Sequence, residues 1–170
     1  MGLWDQLRAT LSAVWADVHS PNADERAQLV TRLIEAGRAE HDLSTRILRI
    51  IPAVPYEQFR RQLEAIARDD AQHATAIEEC LRPLGGMAGY AVHAGEGAKN
   101  DLPGGPWHRL RQVLTVKREL YERYRHAASS ADDPGVRSLL GRLRDDEARH
   151  QDELITMLTQ LDAHVHETIA

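Results

Sequence analysis

The sequence is short of everything that would cross-link a chain or build a thiolate metal site. Cys80 is its only cysteine, which excludes a disulfide framework, a Cys-based zinc site and an iron site of the CxxC…CxxC kind, and points to a reducing compartment. Aromatic residues make up only 5% of the chain. No eighteen apolar residues run together, and the first twenty residues lack the basic start, apolar stretch and small-residue cleavage site of a signal peptide. The expectation is a soluble cytoplasmic protein with no membrane span. An excess of one charge is missing too. Lys and Arg total 21 against 26 Asp and Glu, a net charge of −5 without a long run of either sign, so no nucleic-acid partner is implied.

What the chain does have is helical periodicity, with no β-branched alternation, and Gly and Pro gathered in a few places. The reading is all-α. Leu3, Trp4, Leu7, Leu11, Val14, Trp15 and Val18 share one face of an N-terminal amphipathic helix over residues 1–20. Residues 21–170 then form a four-helix bundle. Its first helix runs from about Asp24 to Ile50, ended by Pro52 and Pro55. The second runs from about Tyr56 to Leu84. Glycines and prolines between Gly85 and Pro106 make a connection too long for a tight turn, a crossover between the second and third bundle helices. The third helix spans about Trp107 to Ala128. Asp133 as cap and Pro134 as first residue open the last, which reaches about His164.

Written out at alternating spacings of four and three, three seams break at mid-height. The first reads Leu29, Leu33, Ala36, Glu40, Leu43, Ile47, Ile50; the second Phe59, Leu63, Ile66, Asp70, His73, Ile77, Cys80, Leu84; the fourth Val136, Leu140, Leu143, Glu147, His150, Leu154, Met157, Leu161. Uncompensated ionisable groups in a helical core cost several kcal/mol, and a metal pair is the economical compensation. An acid followed three residues later by His places both side chains on one helix face, within reach of one metal centre. About 1.4 such matches are expected by chance at this composition, and two occur, so the count carries nothing. Register and symmetry carry the weight: Ile66, Asp70, His73 and Ile77 superpose on Leu143, Glu147, His150 and Leu154 at a constant offset of 77. This two-helix repeat predicts a carboxylate in the third helix, and Glu119 stands 79 positions after Glu40. It lies at the edge of the apolar stripe Leu110, Val113, Leu120, Tyr124 and Ala127, with Glu122 as its rival one turn on.

The segment Ile66-Ala67-Arg68-Asp69-Asp70-Ala71-Gln72-His73-Ala74 resembles the rubrerythrin and ferritin-like pattern I-A-x-x-E-x-x-H-A. Glu119-Leu120-Tyr121-Glu122-Arg123-Tyr124 is similar to the rubrerythrin stretch E-W-x-E-x-Y, and Glu147-Ala148-Arg149-His150 to the closing E-x-x-H. The likeness covers about residues 24–164. It implies a ferritin-like bundle in which Glu40, Asp70, His73, Glu119, Glu147 and His150 ligate two irons per chain, or manganese in their place. Glu119 and Asp70 would bridge the metals, with the phenol of Tyr124 close by. The implied activity is ferroxidase or peroxidase-like reaction with oxygen or peroxide. Two departures stand out: Val116 falls where rubrerythrins carry a further Glu, and Asp70 falls where they carry Glu. The four cysteines of a rubredoxin domain are absent, so an external electron donor is implied. A homodimer is the expected assembly.

The alternative from another class is a metal-free helical bundle serving as an interaction or structural module. Its polar layer would be neutralised by Arg38, Arg68, Arg144 or Arg149.

Overall fold

The computed structural model describes residues 23–85 and 104–167, the side chains of 161–167 excepted. The expected N-terminal helix and the body of the crossover lie outside these residues. Among the described residues there are four long helices, two short 3-10 turns and no strand.

Helix α1 (Ala23–Ile50) carries Asp24 and Glu25 in its first turn and Arg49 in its last, charges that complement the helix macrodipole at either end. Pro52 and Pro55 prevent its continuation, and the chain passes through a 3-10 turn, Ile51–Ala53, closed by the Val54 N–H on the Ile51 carbonyl at 3.0 Å. Helix α2 (Glu57–Leu81) ends three residues earlier than periodicity alone suggests. Pro83 lacks the amide that a further α-turn requires, so Arg82–Leu84 tighten into a 3-10 turn. Gly85 then takes the left-handed conformation, φ 77°, which a side chain would disfavour. Helix α3 (Pro106–Ser130) starts on a proline. Helix α4 (Pro134–Glu167) starts as the sequence indicates, with Asp133 Oδ1 accepting the Val136 N–H at 2.9 Å.

Helix α1 packs along α2, and α3 along α4. These two pairs meet through α1 against α3 and α2 against α4. The short α1–α2 and α3–α4 connections make each pair antiparallel. The Ser44 hydroxyl fastens the first pair, donating to the Ala67 carbonyl at 2.7 Å.

The seams bury the residues their spacing selects. Leu33, Leu43, Ile47, Leu63, Ile66, Ile77, Leu110, Leu120, Leu140 and Leu154 are almost completely inaccessible. Three positions depart: Leu29 and Leu84 are only half-buried, and Leu81, not the half-buried Cys80, closes the buried stripe of α2. Burial of the apolar stripe at both ends of every helix fixes the helices in register. That register brings the mid-height polar residues to one level.

Ile77→Ala should destabilise the fold by about 2–5 kcal/mol because it opens a cavity in a closed core. Leu48, 53% exposed, should lose no more than about 0.5 kcal/mol on change to Ala. Urea denaturation of both variants checks the contrast.

Candidate metal centre

Glu40 from α1, Asp70 and His73 from α2 and Glu147 from α4 meet at the centre of the bundle. Each offers one donor atom, and the four atoms all lie within 4.8 Å of one another. Glu40, Asp70 and Glu147 are fully buried, and His73 is nearly so. This group can hold a metal ion.

The hydrogen bonds around it leave specific atoms unused. Tyr124 in α3 donates its hydroxyl to Glu40 Oε1 at 2.6 Å, and Glu40 Oε2 has no partner. Asp70 Oδ1 accepts at 2.8 Å from Lys117, and Asp70 Oδ2 has no partner. His73 Nδ1 is also without a hydrogen bond, although it lies 3.4 Å from Glu40 Oε1 and 3.8 Å from Glu147 Oε1. Unpaired buried polar atoms cost about 1–3 kcal/mol each. Three such atoms belong to residues of this one donor group.

The outer nitrogens of the two histidines are held by a second ring of residues. His73 Nε2 lies 3.3 Å from Asp146 Oδ2 on α4, and His150 Nε2 lies 3.2 Å from Asp69 Oδ2 on α2. Each helix therefore lends the Asp just before its own buried acid to the histidine of the other. Arg149 ties the two together, with Nη2 2.9 Å from both Asp69 Oδ2 and Asp146 Oδ1. An Nε2–H donated to a carboxylate fixes the ring and turns the Nδ1 lone pair inward. Burial alone would raise the pKa values of Asp69 and Asp146. The hydrogen bonds from Arg149 and from the histidines outweigh it and hold both carboxyls below the ordinary range.

Of the residues singled out in the sequence, Glu40, Asp70, His73 and Glu147 converge. His150 is also buried, but its Nδ1 faces Lys117 at 3.2 Å instead of joining the four. The two rings lie stacked, their centroids 5.9 Å apart. Tyr124 hydrogen-bonds Glu40. Glu119 does not come in: it is exposed on the outer face of α3, and so is its rival Glu122, which pairs with Arg125 at 2.7 Å.

The residue of α3 that does enter is Lys117. It is completely buried, with Nζ 2.8 Å from Asp70 Oδ1, 3.0 and 3.2 Å from the two oxygens of Glu147, and 3.2 Å from His150 Nδ1. A residue two places further on points about 200° away around a helix, so the inward turn of Lys117 is the outward turn of Glu119. Position 117 fills the gap between Val113 and Leu120 in the α3 stripe, at the four-then-three spacing that located the other seam breaks. Asp69 and Asp146 are likewise related by the offset of 77.

The electrostatics follow from burial and mutual repulsion. Desolvation pushes the Asp70 carboxyl up to about 7, with Glu40 and Glu147 adding to the rise and Lys117 opposing it. Desolvation also acts on Glu147, but hydrogen bonds from His150 and Lys117 bring it below its usual value. For Lys117 the penalty of burial is outweighed by Asp70, Glu147 and Glu40, and the amine is held protonated. His73 is raised in the same way, the three carboxylates prevailing over burial.

Compared with protein-family models, with curated proteins and with solved structures, the chain matches none. The site therefore has to be read on its own chemistry.

Two outcomes are expected of the metal-free protein. Lys117→Met should lower its stability by about 3–5 kcal/mol, since it strands buried carboxylates, whereas Glu119→Ala should change it by no more than about 0.5 kcal/mol; urea midpoints distinguish them. Second, stability should fall as pH rises from 5.5 to 8. Asp70 binds its proton more tightly folded, at about 7, than its ordinary value of 3.8 allows, so the gain present in acid is lost as pH passes 7. His73, also raised, has the same sign in this window, and Asp70→Asn should flatten the profile.

Proposed function

We propose that the bundle is a metalloprotein of the kind its motifs resemble. It holds a redox-active transition metal between Glu40, Asp70, His73 and Glu147 and uses it in a reaction with oxygen or peroxide. The observation that carries this reading is the buried four-residue donor group, one atom of each residue lying within 4.8 Å of the others, in which Glu40 Oε2, Asp70 Oδ2 and His73 Nδ1 have no hydrogen-bond partner. Carboxylates with one imidazole suit iron(II) and manganese(II), and a site without thiolate does not favour softer ions. When bound, such an ion supplies the electrons with which oxygen or peroxide is reduced.

The chain's own residues prepare that chemistry. Asp146 orients His73 through Nε2, leaving Nδ1 free. Tyr124 holds its proton, because burial first and then the neighbouring Glu40 raise its pKa well above the ordinary phenol. Its O–H thereby fixes Oε1 of Glu40, and Oε2 is left without a hydrogen bond. A groove of about 670 Å³ is lined among others by Arg32, Ala36, Arg123 and Tyr124. Elsewhere the apolar layers above and below the site exclude water.

A second reading has one observation in its favour. Lys117 already pairs with Asp70 and Glu147, and a polar layer neutralised in this way can set helix register with no metal at all.

The deciding experiment is anaerobic incubation with Fe(II), desalting and metal analysis by mass spectrometry, followed by exposure to oxygen or peroxide with absorbance recorded. Retained iron and a spectral change on oxidation are expected; protein that keeps no iron above background overturns the proposal in favour of the register-setting layer. Asp146→Asn, which touches no proposed ligand atom other than through His73, should weaken metal affinity by about 10–100-fold, measured by competition with a chelator.

A further inference from the structure

We infer that Lys117 takes the place of a second metal, so that this centre holds one divalent ion beside the Lys117 side chain and is not a two-metal site. The inference rests on the metal-binding reading above and concerns how many ions that site accepts.

The position of Nζ is the first argument. Its neighbours are Asp70 Oδ1, both oxygens of Glu147 and His150 Nδ1. These are the donors that the two-metal expectation would give to an ion on the His150 side of the site, with Glu119 completing the set. The ammonium satisfies them instead. Among the described residues no second buried lysine or arginine serves His73 Nδ1, which lies 3.4 Å from Glu40 Oε1 and 3.8 Å from Glu147 Oε1, and Glu40 Oε2, Asp70 Oδ2 and His73 Nδ1 have no hydrogen-bond partner. One half of the site is supplied with a cation by the chain, and the other is not. Asp70 and Glu147 face both: Asp70 has Oδ1 on the ammonium and Oδ2 unused, and Glu147 Oε1 lies 3.0 Å from Nζ and 3.8 Å from His73 Nδ1.

Charge balance is the second argument. Glu40, Asp70 and Glu147 are the buried acids of the layer and Lys117 its buried cation. With the carboxylates ionised and both histidines neutral, the state in which they can ligate a metal, three carboxylates and one ammonium carry a formal charge of −2, which one divalent ion cancels. The two-metal site expected from the sequence has four carboxylates and balances two divalent ions. Replacing a carboxylate by an ammonium changes the charge by two units, the charge of one divalent ion. A second ion entering beside Lys117 would leave an uncompensated double positive charge in a dry core, an arrangement strongly opposed by desolvation.

The absence of slack is the third. Lys117 is fully buried, its own carbonyl accepts from Gln151 Nε2 at 3.4 Å, and Leu114 and Leu120 are buried on either side of it. The ammonium has no solvent-facing position to retreat to without leaving the seam.

The test counts metal in the folded protein. Wild type and Lys117→Glu are each refolded and loaded anaerobically with Mn(II), checked by circular dichroism, desalted and analysed by mass spectrometry. One ion per chain in wild type and two in Lys117→Glu are expected. Two ions in wild type overturn the inference while leaving the metal-binding reading intact, and so does a folded Lys117→Glu that still holds one. No ion in wild type overturns the metal-binding reading, and this inference falls with it.

A variant that does not fold is covered by a measurement on the wild-type chain, which has only two lysines, Lys99 and Lys117. Lysine-selective 15N labelling gives at most two side-chain ammonium signals, and Lys99→Arg assigns them. Titrated with diamagnetic Zn(II), the Lys117 signal should persist, protected from exchange, through saturation at one equivalent. Its loss as a second equivalent binds would show that the ammonium gives way to metal and would refute the inference.

Discussion

A protonated amine surrounded by carboxylates, with no water available to either, is the constraint around which this bundle is organised. Lys117 supplies hydrogen bonds to Asp70 and Glu147 from a helix that belongs to the other antiparallel pair from Asp70. Such an arrangement contributes little net stability relative to an apolar layer, because desolvation of the charges offsets most of their attraction. Its consequence is specificity. A register slip of any one helix would put an apolar residue against the ammonium and strand a carboxylate in hydrocarbon. The long apolar stretches above and below the layer can therefore be generic, while the layer itself selects one alignment.

The same layer remains incompletely neutralised. Lys117 serves Asp70 Oδ1, Glu147 and His150 Nδ1, whereas Glu40 Oε2, Asp70 Oδ2 and His73 Nδ1 keep no hydrogen-bond partner. A layer evolved only to set register has no use for that asymmetry, since each orphaned atom is a penalty. A layer that receives a cation does. The outer ring of Asp69, Asp146 and Arg149 is consistent with this division of labour: it lies partly exposed, where ion pairs themselves contribute little, but it orients both imidazoles from their outer nitrogens. The cross-over of partners, with each of α2 and α4 serving the histidine of the other, also couples the two helices at the height of the site.

Much of this was legible in the chain. Helix number, the proline-imposed ends of α1 and the Asp133 cap of α4 follow from local chemistry that needs no tertiary context. The mid-height breaks at Glu40, Asp70, His73, Glu147 and His150 follow from seam periodicity, since a residue in register with buried leucines is itself buried. In the third helix the repeat calls for a carboxylate and points to Glu119, whereas the four-then-three spacing of α3 passes through Lys117. Spacing determines position and leaves the sign of charge open. The residues Asp69 and Asp146 carry the same offset as the acids beside them, but as helix-surface carboxylates they look like ordinary solvated groups until the opposing histidine is seen.

By itself the sequence determined which faces of which helices are buried and that ionisable groups share one level, because burial follows from periodicity and local stops. Only the tertiary structure decided which of those groups touch. The distance from Lys117 Nζ to Glu147, the free oxygens of Glu40 and Asp70 and the exchange of aspartates between α2 and α4 all depend on side chains from helices far apart in sequence. Their meeting is set by packing across the bundle, and no single helix encodes it.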